Sequence, residues 1–228
     1  MTYKTVAILA LFLGCTVAQS SPASQKSVTY RETTGDESVS FTWTLKEEDD
    51  IRLTVIRPHE RFLNIFDRSG ETMRWSHTGP QRHVTARRQD DRIILNGELD
   101  GEAVQKEWTV DDAPWYQALS YCLRAFLHSA DTTIEFWMIR PDTIDAVKLR
   151  AEKAEVASVN VNGRCFDARK VEVCRTGFLS LFWQGEYWYR VEDELFLKYR
   201  GIHGPPGTPP TVVEVDLDSG PTEKDSAP

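Results

Sequence analysis

Residues 39–45 read VSFTWTL, and their apolar and polar side chains alternate without interruption. Successive side chains of a β-strand point to opposite faces, so the Val, Phe, Trp and Leu side chains would share one face and the Ser and Thr side chains the other. Similar short stretches continue towards the C-terminus, separated by turn signals about every 8–12 residues. This pattern predicts a mainly β protein with a minor helical part, built on a curved antiparallel sheet or an open barrel.

Pairs of turn-forming residues predict where the strands reverse. Asn162-Gly163 suits a two-residue turn, because such a turn needs positive φ at both central residues. Its arms would be residues 144–161 and 164–175, which makes this the longest hairpin. Gln184-Gly185 predicts another hairpin, which would join the two strands that flank it.

One segment has helical rather than alternating spacing. Pro114 suits the first turn of a helix, and Asp111 and Asp112 precede it, where carboxylates favour the helix dipole. The apolar positions that repeat at helical spacing are Trp115, Ala118, Leu119, Cys122, Leu123 and Phe126. We therefore expect one helix at about residues 114–127, packed on one face of the sheet.

The N-terminus is typical of an exported protein. Lys4 precedes an apolar run from Val6 to Gly14, which is too short for the ~20 residues of a membrane span but suits a signal sequence. Small residues ending at Ala18 predict residues 1–18 as a signal peptide cleaved there. The alternative is a lipoprotein signal, in which Cys15 would be the lipidated first residue of the mature chain and its membrane tether.

The rest of the chain reads as one domain with polar ends. Residues 19–27 predict a flexible lead-in, residues 28–217 a single antiparallel β domain with one helix, and residues 218–228 a disordered tail. The compartment would be the periplasm, or the membrane surface if Cys15 is lipidated. Oligomeric state does not follow from the sequence.

The charge balance excludes one class of partner. The chain has 35 Asp and Glu against 27 Lys and Arg, a net charge of −8. An acidic protein is repelled by nucleic acid and by anionic lipid, so neither is expected as an electrostatic partner.

The three cysteines of the mature domain leave the disulfide question open. Cys165 and Cys174 would lie about 30 Å apart along one strand, at about 3.3 Å per residue. A disulfide needs Cα atoms about 5.5 Å apart, so these two are poor partners for each other. Cys122 could pair with either of them, or all three could be thiols.

No catalytic motif is recognisable in the sequence. The nucleophile elbow, the zinc-protease helix motif, the phosphate-binding glycine loop and the paired Cys-x-x-Cys do not occur. We therefore expect no catalytic residue, no metal and no cofactor. The alternative is a hydrolase-like enzyme whose site is assembled from distant residues such as His77, His83 and Glu107.

A cluster of large rings near the C-terminus is the best candidate for a binding surface. Phe182-Trp183 and Tyr187-Trp188-Tyr189 would place rings on both faces of a hairpin. A strand that is apolar on both faces is buried on both faces, or exposes one face to a cavity or partner. The candidate ligand-binding residues are Trp137, Trp183, Tyr187 and Trp188. The alternative is that these rings are simply core.

Several motifs resemble a known family. They are Pro114-Trp115-Tyr116-Gln117, Phe136-Trp137-Met138-Ile139-Arg140-Pro141, Asn162-Gly163, Tyr187-Trp188-Tyr189-Arg190, Tyr199-Arg200-Gly201, Gly207-Thr208-Pro209 and Val212-Val213-Glu214. Together they resemble the uncharacterised exported bacterial proteins of the DUF3108 family. The resemblance implies a periplasmic β protein, with a curved sheet around a helix as in lipoprotein carriers, and supplies no catalytic residues.

The sequence thus favours a non-enzymatic cell-envelope protein. It would bind an apolar ligand, a lipoprotein or an envelope partner through a concave aromatic face. A scaffold protein without a ligand, in which the aromatic side chains are only core, is the alternative from another class.

Overall fold

The computed structural model describes residues 24–48, 50–176, 184–202, 208–218 and 222–223. The predicted signal peptide at residues 1–18, the alternative lipidation site Cys15 and the candidate binding residue Trp183 lie outside these ranges. Among the described residues, no helix is both long and apolar enough to cross a membrane.

The described parts of the chain form fifteen strands and one helix. The strands before the helix are β1 (Ser24–Thr34), β2 (Glu37–Glu47), β3 (Ile51–Ile56), β4 (Arg61–Phe66), β5 (Thr72–Gly79), β6 (Arg82–Gln89), β7 (Arg92–Leu99) and β8 (Glu102–Thr109). The helix is α1 (Leu119–His128). The strands after it are β9 (Thr133–Arg140), β10 (Asp145–Val161), β11 (Arg164–Arg175), β12 (Gln184–Arg190), β13 (Phe196–Gly201), β14 (Thr211–Val215) and β15 (Thr222–Glu223).

All the strands belong to one antiparallel sheet. Its order is β8-β7-β6-β5-β4-β3-β2-β1-β14-β13-β12-β11-β10-β9, and β15 pairs with β1 outside this path. Adjacent strands along this path are consecutive in the sequence, except β1 and β14. The pairing of β1 with β14 joins the part of the sheet from β1 to β8 to the part from β9 to β14. The path runs from β8 at one end to β9 at the other and does not close into a barrel. The predicted curved antiparallel sheet packed on one helix is confirmed.

The long hairpin and the strand boundaries near it agree with the sequence pattern. Asn162 and Gly163 form its turn with φ of 49° and 79°. The arms are β10 and β11, whose ends lie within one residue of the predicted ranges. Burial alternates over residues 146–152 of β10 and 170–174 of β11, and a register irregularity between Lys153 and Val156 interrupts the ladder between the arms.

The predicted hairpin at Gln184-Gly185 is wrong. These residues begin β12, and Gly185 lies between Val173 of β11 and Gly201 of β13. A Cβ atom at Gly185 would lie 2.9 Å from the Tyr199 ring. The glycine therefore permits a close approach of an aromatic ring within the sheet, which is the other common reason for a glycine in a strand.

The helix starts later than predicted. It spans Leu119–His128, while residues 114–116 are extended against β9. The Trp137 amide donates to the Pro114 carbonyl at 2.8 Å, and the Tyr116 amide donates to the Trp137 carbonyl at 2.9 Å. These two hydrogen bonds hold in an extended conformation a segment whose apolar spacing alone suits a helix.

The buried face of α1 is the one that the spacing predicts. Leu119, Cys122, Leu123 and Phe126 are all buried. They belong to a core that fills the inner face of the sheet from β1 to β4 and from β9 to β14. A second, smaller core around Trp75 and Trp115 fills the part of the sheet from β5 to β7.

The ends of the domain differ from the predicted boundaries. Strand β1 begins at Ser24, so residues 24–27 of the predicted lead-in belong to the sheet. Thr222 and Glu223, within the predicted disordered tail, pair with Ser27 and Lys26 of the same strand.

Candidate functional site

A cleft lies between the inner face of the sheet and the N-terminal end of α1. Its larger part has a volume of about 410 Å³, and its smaller part has a volume of about 200 Å³. Phe41, Val55, Gln117 and Ser120 line both parts, so the two parts are adjacent.

One row of cross-strand neighbours forms the floor of the cleft. Trp43 pairs with Val55, Val55 with Phe62, and Phe62 with His77. Because directly opposed residues of adjacent strands point to the same face, these four side chains from β2 to β5 all face inwards. The alternation of apolar and polar residues that predicts the strands therefore also places these side chains on the floor of the cleft.

The smaller part, which we call the aromatic end, is lined by six aromatic side chains among others. They are Tyr30, Phe41, Trp43, Tyr187, Phe196 and Tyr199. The hydroxyl of Tyr30 donates to the Phe196 carbonyl at 2.9 Å. The indole Nε1 of Trp43 donates to the Ser120 hydroxyl at 3.2 Å. With these polar tips already bonded, the two rings present hydrocarbon to the cleft.

The larger part, which we call the polar end, contains a buried histidine paired with a carboxylate. His77 is 1 % exposed and stacks on Phe62, with ring centroids 4.1 Å apart. Its Nε2 lies 2.9 Å from Oε1 of Glu60. Burial lowers the pKa of His77 and outweighs the opposing effect of the Glu60 hydrogen bond and charge. His77 is therefore neutral at pH 7, with its proton on Nε2 facing the carboxylate.

Two buried polar atoms at the polar end have no partner in the described chain. They are Nδ1 of His77 and Oδ1 of Asn64. Asn64 is 3 % exposed and lies on β4 beside Trp75 of β5. A buried acceptor without a hydrogen bond costs about 1–3 kcal/mol of stability, and such groups are rare away from functional sites.

The charged groups of the polar end nearly balance. Arg57 pairs with Glu32, and the guanidinium of Arg82 donates to the Pro141 carbonyl. Glu60 and Asp142 complete the charged lining. Two guanidinium groups and two carboxylates around one opening favour neither a cation nor an anion strongly.

The structure distributes the predicted binding residues over different places. Tyr187 lines the aromatic end of the cleft. Trp188 pairs across the sheet with Lys170 and Lys198 and is not among the lining residues. Trp137 donates from its indole to Asp111 at 2.8 Å and packs on the smaller core.

The residues of the alternative enzyme site do not converge. His77 faces inwards opposite Val84, whereas His83 pairs with Thr78 on the other face of the sheet and is exposed. Glu107 is exposed on the edge strand β8 and pairs with Arg92 at 2.8 Å. Among the described residues, no group of three His, Cys, Asp or Glu side chains could hold a metal ion.

The cysteines of the domain are free thiols. Cys122 is buried against Thr72, and burial raises its pKa to about 12. Cys165 and Cys174 both lie on β11, as the spacing predicts. A thiol held protonated in this way is a packing group rather than a nucleophile.

Several residues of the cleft were not anticipated from the sequence. They are Arg57, Glu60, Asn64, Arg82 and Gln117. One of them did carry a signal. Asn64 interrupts the apolar run of RFLNIF at a position that alternation assigns to the same face as Phe62 and Phe66, and a buried polar residue in such a row is informative.

Comparison with known proteins supports the fold. No protein-family model matches the sequence, and no curated protein matches it. The crystal structure of a β-barrel-like protein of the domain of unknown function DUF1849 from Brucella abortus superposes with a TM-score of 0.58. The match covers 89% of this chain and 99% of that chain at 6% identity. At this identity the similarity is one of fold alone.

Two further solved structures are more distant. A DUF1329 family protein from Desulfovibrio piger has a TM-score of 0.30 and 10% identity, covering 88% of this chain and 85% of that one. A LolA superfamily protein from Nitrosomonas europaea has a TM-score of 0.26 and 6% identity, covering 86% and 84%. TM-scores of this size support no conclusion about this chain.

Proposed function

We propose that this is a non-enzymatic protein of the bacterial cell envelope that binds the apolar chain of a lipid-like ligand in the cleft. The observation that carries the proposal is the cleft under α1, whose two adjacent parts have aromatic walls at one end and polar groups at the other. Ligand pockets in proteins combine these two features, in volumes of about 300–1,000 Å³.

The orientation of the ligand in the cleft follows from the different chemistry of the aromatic end and the polar end. The rings of the aromatic end exclude water and bury an acyl or alkyl chain, at about 25 cal/mol for each Å² of apolar surface removed from water. The polar end, with His77, Glu60 and Arg82, would hold a headgroup. The acyl chain could belong to a free lipid or to a lipoprotein, since both offer the same chemistry to the cleft.

The proposed location rests on the sequence. Residues 1–18 have the pattern of a signal peptide, and the motifs quoted above resemble the exported DUF3108 family. Membership of that family and periplasmic location are parts of this proposal.

Native mass spectrometry of the protein, purified gently from the cells that make it, tests the proposal. A co-purifying lipid would support the proposal and identify the acyl chain of the ligand. A co-purifying acylated protein would point to a lipoprotein. A bare chain that also fails to bind a fluorescent fatty-acid probe would overturn it in favour of a scaffold role. The intact mass also distinguishes cleavage after Ala18 from lipidation of Cys15.

A pair of neighbouring substitutions locates the binding site. Val55 lines both parts of the cleft, so Val55→Trp would fill its middle. Thr54 is its neighbour on β3 and pairs with Thr44 and Leu63 on the opposite face of the sheet. We expect Val55→Trp to abolish binding of the fluorescent probe and Thr54→Trp to preserve it. Equal binding by both variants would place the probe elsewhere.

A further inference from the structure

The two unpartnered atoms at the polar end point to the chemistry of the headgroup. Asn64 pairs with Trp75, and His77 pairs with Phe62, so Asn64 and His77 are diagonal neighbours on the inner face of β4 and β5. Diagonal neighbours in a sheet lie about 7–8 Å apart, within reach of one small polar group bound between them. Both line the same part of the cleft.

Both of these atoms are hydrogen-bond acceptors. Neutral imidazole carries one proton, and the bond between Nε2 and the Glu60 carboxylate places it on Nε2. Nδ1 of His77 therefore has a free lone pair, as has the amide oxygen Oδ1 of Asn64. A ligand that satisfies them must donate hydrogen bonds.

The amide nitrogen of Asn64 adds a second requirement. Beside the unpaired Oδ1, the Asn64 amide carries two N–H donors, and the residue lines the polar end of the cleft. A carboxylate only accepts hydrogen bonds, and an ammonium group only donates them. A hydroxyl group does both, and it is therefore the one of these three groups that suits His77 and Asn64 together.

The balanced charges of the polar end give neither a carboxylate nor an ammonium group a net attraction. Arg57 and Arg82 are close enough to His77 to lower its pKa, and they would repel an ammonium group. Glu60 and Asp142 line the same opening and would repel a carboxylate. A neutral headgroup meets neither repulsion.

We propose that the polar end recognises a neutral, hydroxyl-bearing headgroup, so that the preferred ligand is an uncharged acyl amphiphile of the monoacylglycerol type. This inference rests on the proposed function, because it needs the acyl chain to lie in the aromatic end. The headgroup hydroxyls donate to Nδ1 of His77 and Oδ1 of Asn64 and accept from the Asn64 amide.

Four probes with the same apolar chain test the headgroup. They are monolaurin, methyl laurate, lauric acid and dodecylamine, each measured by isothermal titration calorimetry with the full-length mature protein. We expect monolaurin to bind about tenfold more tightly than methyl laurate, which has no hydroxyl, because the hydroxyls pair two buried acceptors. The two charged probes are expected to bind more weakly than monolaurin.

Two asparagine variants assign the preference to the cleft. Asn64→Leu removes the amide and keeps the side-chain volume similar, so we expect it to reduce the preference for monolaurin over methyl laurate from about tenfold to about threefold or less. Asn96→Leu is the matched control, because Asn96 is exposed on β7 and lies on the other face of the sheet, opposite Thr85. It should retain the full preference.

Folding does not confound this test. Asn64→Leu replaces an unpaired buried amide with hydrocarbon, so its thermal midpoint is expected to equal or exceed that of the natural chain. Equal affinity of monolaurin and methyl laurate for the natural chain would overturn the headgroup inference and leave the proposed function standing. Failure of all four probes to bind would overturn both.

Discussion

The hydroxyl of Tyr189 on β12 donates a hydrogen bond of 2.7 Å to the backbone carbonyl of Leu119, the first residue of α1. Ala118 at the N-cap makes no side-chain capping bond, and no acidic residue lies in the first turn. The start of the helix is thus fixed from the sheet rather than by its own sequence. Since residues 117–120 form one wall of the cleft, this bond also positions the candidate site.

Tyr189→Phe should weaken this attachment. The substitution removes one buried hydrogen bond and keeps the ring, so we expect the free energy of unfolding to fall by about 1 kcal/mol. Urea denaturation followed by tryptophan fluorescence measures it. Tyr116→Phe is a suitable control, because the Tyr116 hydroxyl makes no hydrogen bond with the described residues while its ring packs on Phe136. A Tyr189→Phe variant as stable as this control would contradict the prediction.

Gly201→Ala should be strongly destabilising. A Cβ atom at Gly201 would lie 2.6 Å from Cζ of Tyr199 and closer still to its hydroxyl oxygen, so this buried ring would have to move. Overpacking of this kind costs about 1–3 kcal/mol. Gly79→Ala is the control, because its Cβ would make only an ordinary contact of 3.5 Å with Glu60. Thermal unfolding compares the two, and equal midpoints would be the contrary result.

The elements that the sequence predicts well are those with local causes. The alternation in VSFTWTL gives β2, and Asn162-Gly163 gives the longest hairpin, because strand periodicity and turn stereochemistry act over a few residues. The helix was found but its start was misplaced by five residues. The cause is non-local, since Trp137 pairs with Pro114 and Tyr116 from across the chain.

The candidate site depends on pairings that sequence alone does not contain. His77 and Glu60 lie on successive segments, yet their contact follows from the register between β4 and β5. The register between β5 and β6 separates His77 from His83, which are near each other in sequence but face opposite sides of the sheet. Of the predicted aromatic binding residues that the structure describes, Tyr187 lines the cleft, because its ring lies on the inner face of the sheet. The sequence pattern near Gln184-Gly185 did not show which ring would face inwards.

Arg88 holds the segment that leads into the helix, and its loss should loosen that segment. The guanidinium donates to Glu71 at 2.6 Å and to the carbonyls of Ala113 and Asp111 at 2.8 and 2.9 Å. We expect Arg88→Met to speed amide hydrogen exchange in residues 111–118 and to cost about 1.5–3 kcal/mol.

The adjacent arginine provides the control for this experiment. Arg87 is exposed and pairs across the sheet with Arg74 and Ile94. Arg87→Met should change stability by less than about 0.5 kcal/mol and leave the exchange of residues 111–118 unaltered. Parallel behaviour of the two variants would mean that Arg88 does not anchor the segment.

The buried histidine should make stability depend on pH. Burial lowers the pKa of His77 below its ordinary 6.5, against the effect of Glu60 and with that of Arg82 and Arg57. Below pH 6.5 the unfolded chain takes up a proton that the folded chain does not. The contribution of His77 to the free energy of unfolding is therefore fully present above pH 6.5. It is lost as the pH falls towards the lower pKa of His77 in the folded chain.

His77→Gln isolates this dependence, since glutamine retains a polar side chain without titrating. Between pH 7 and pH 5 we expect the natural chain to lose more stability than His77→Gln, by at most about 1.4 kcal/mol per pH unit, the limit for one proton. His83→Gln, on the exposed face, should follow the natural chain. The affinity for monolaurin should fall only as the pH approaches the lower folded pKa of His77, where a proton on Nδ1 removes the acceptor that its hydroxyl needs. If urea midpoints of all three proteins fall in parallel with pH, His77 is not the group responsible, and its role as a neutral acceptor in the cleft loses its basis.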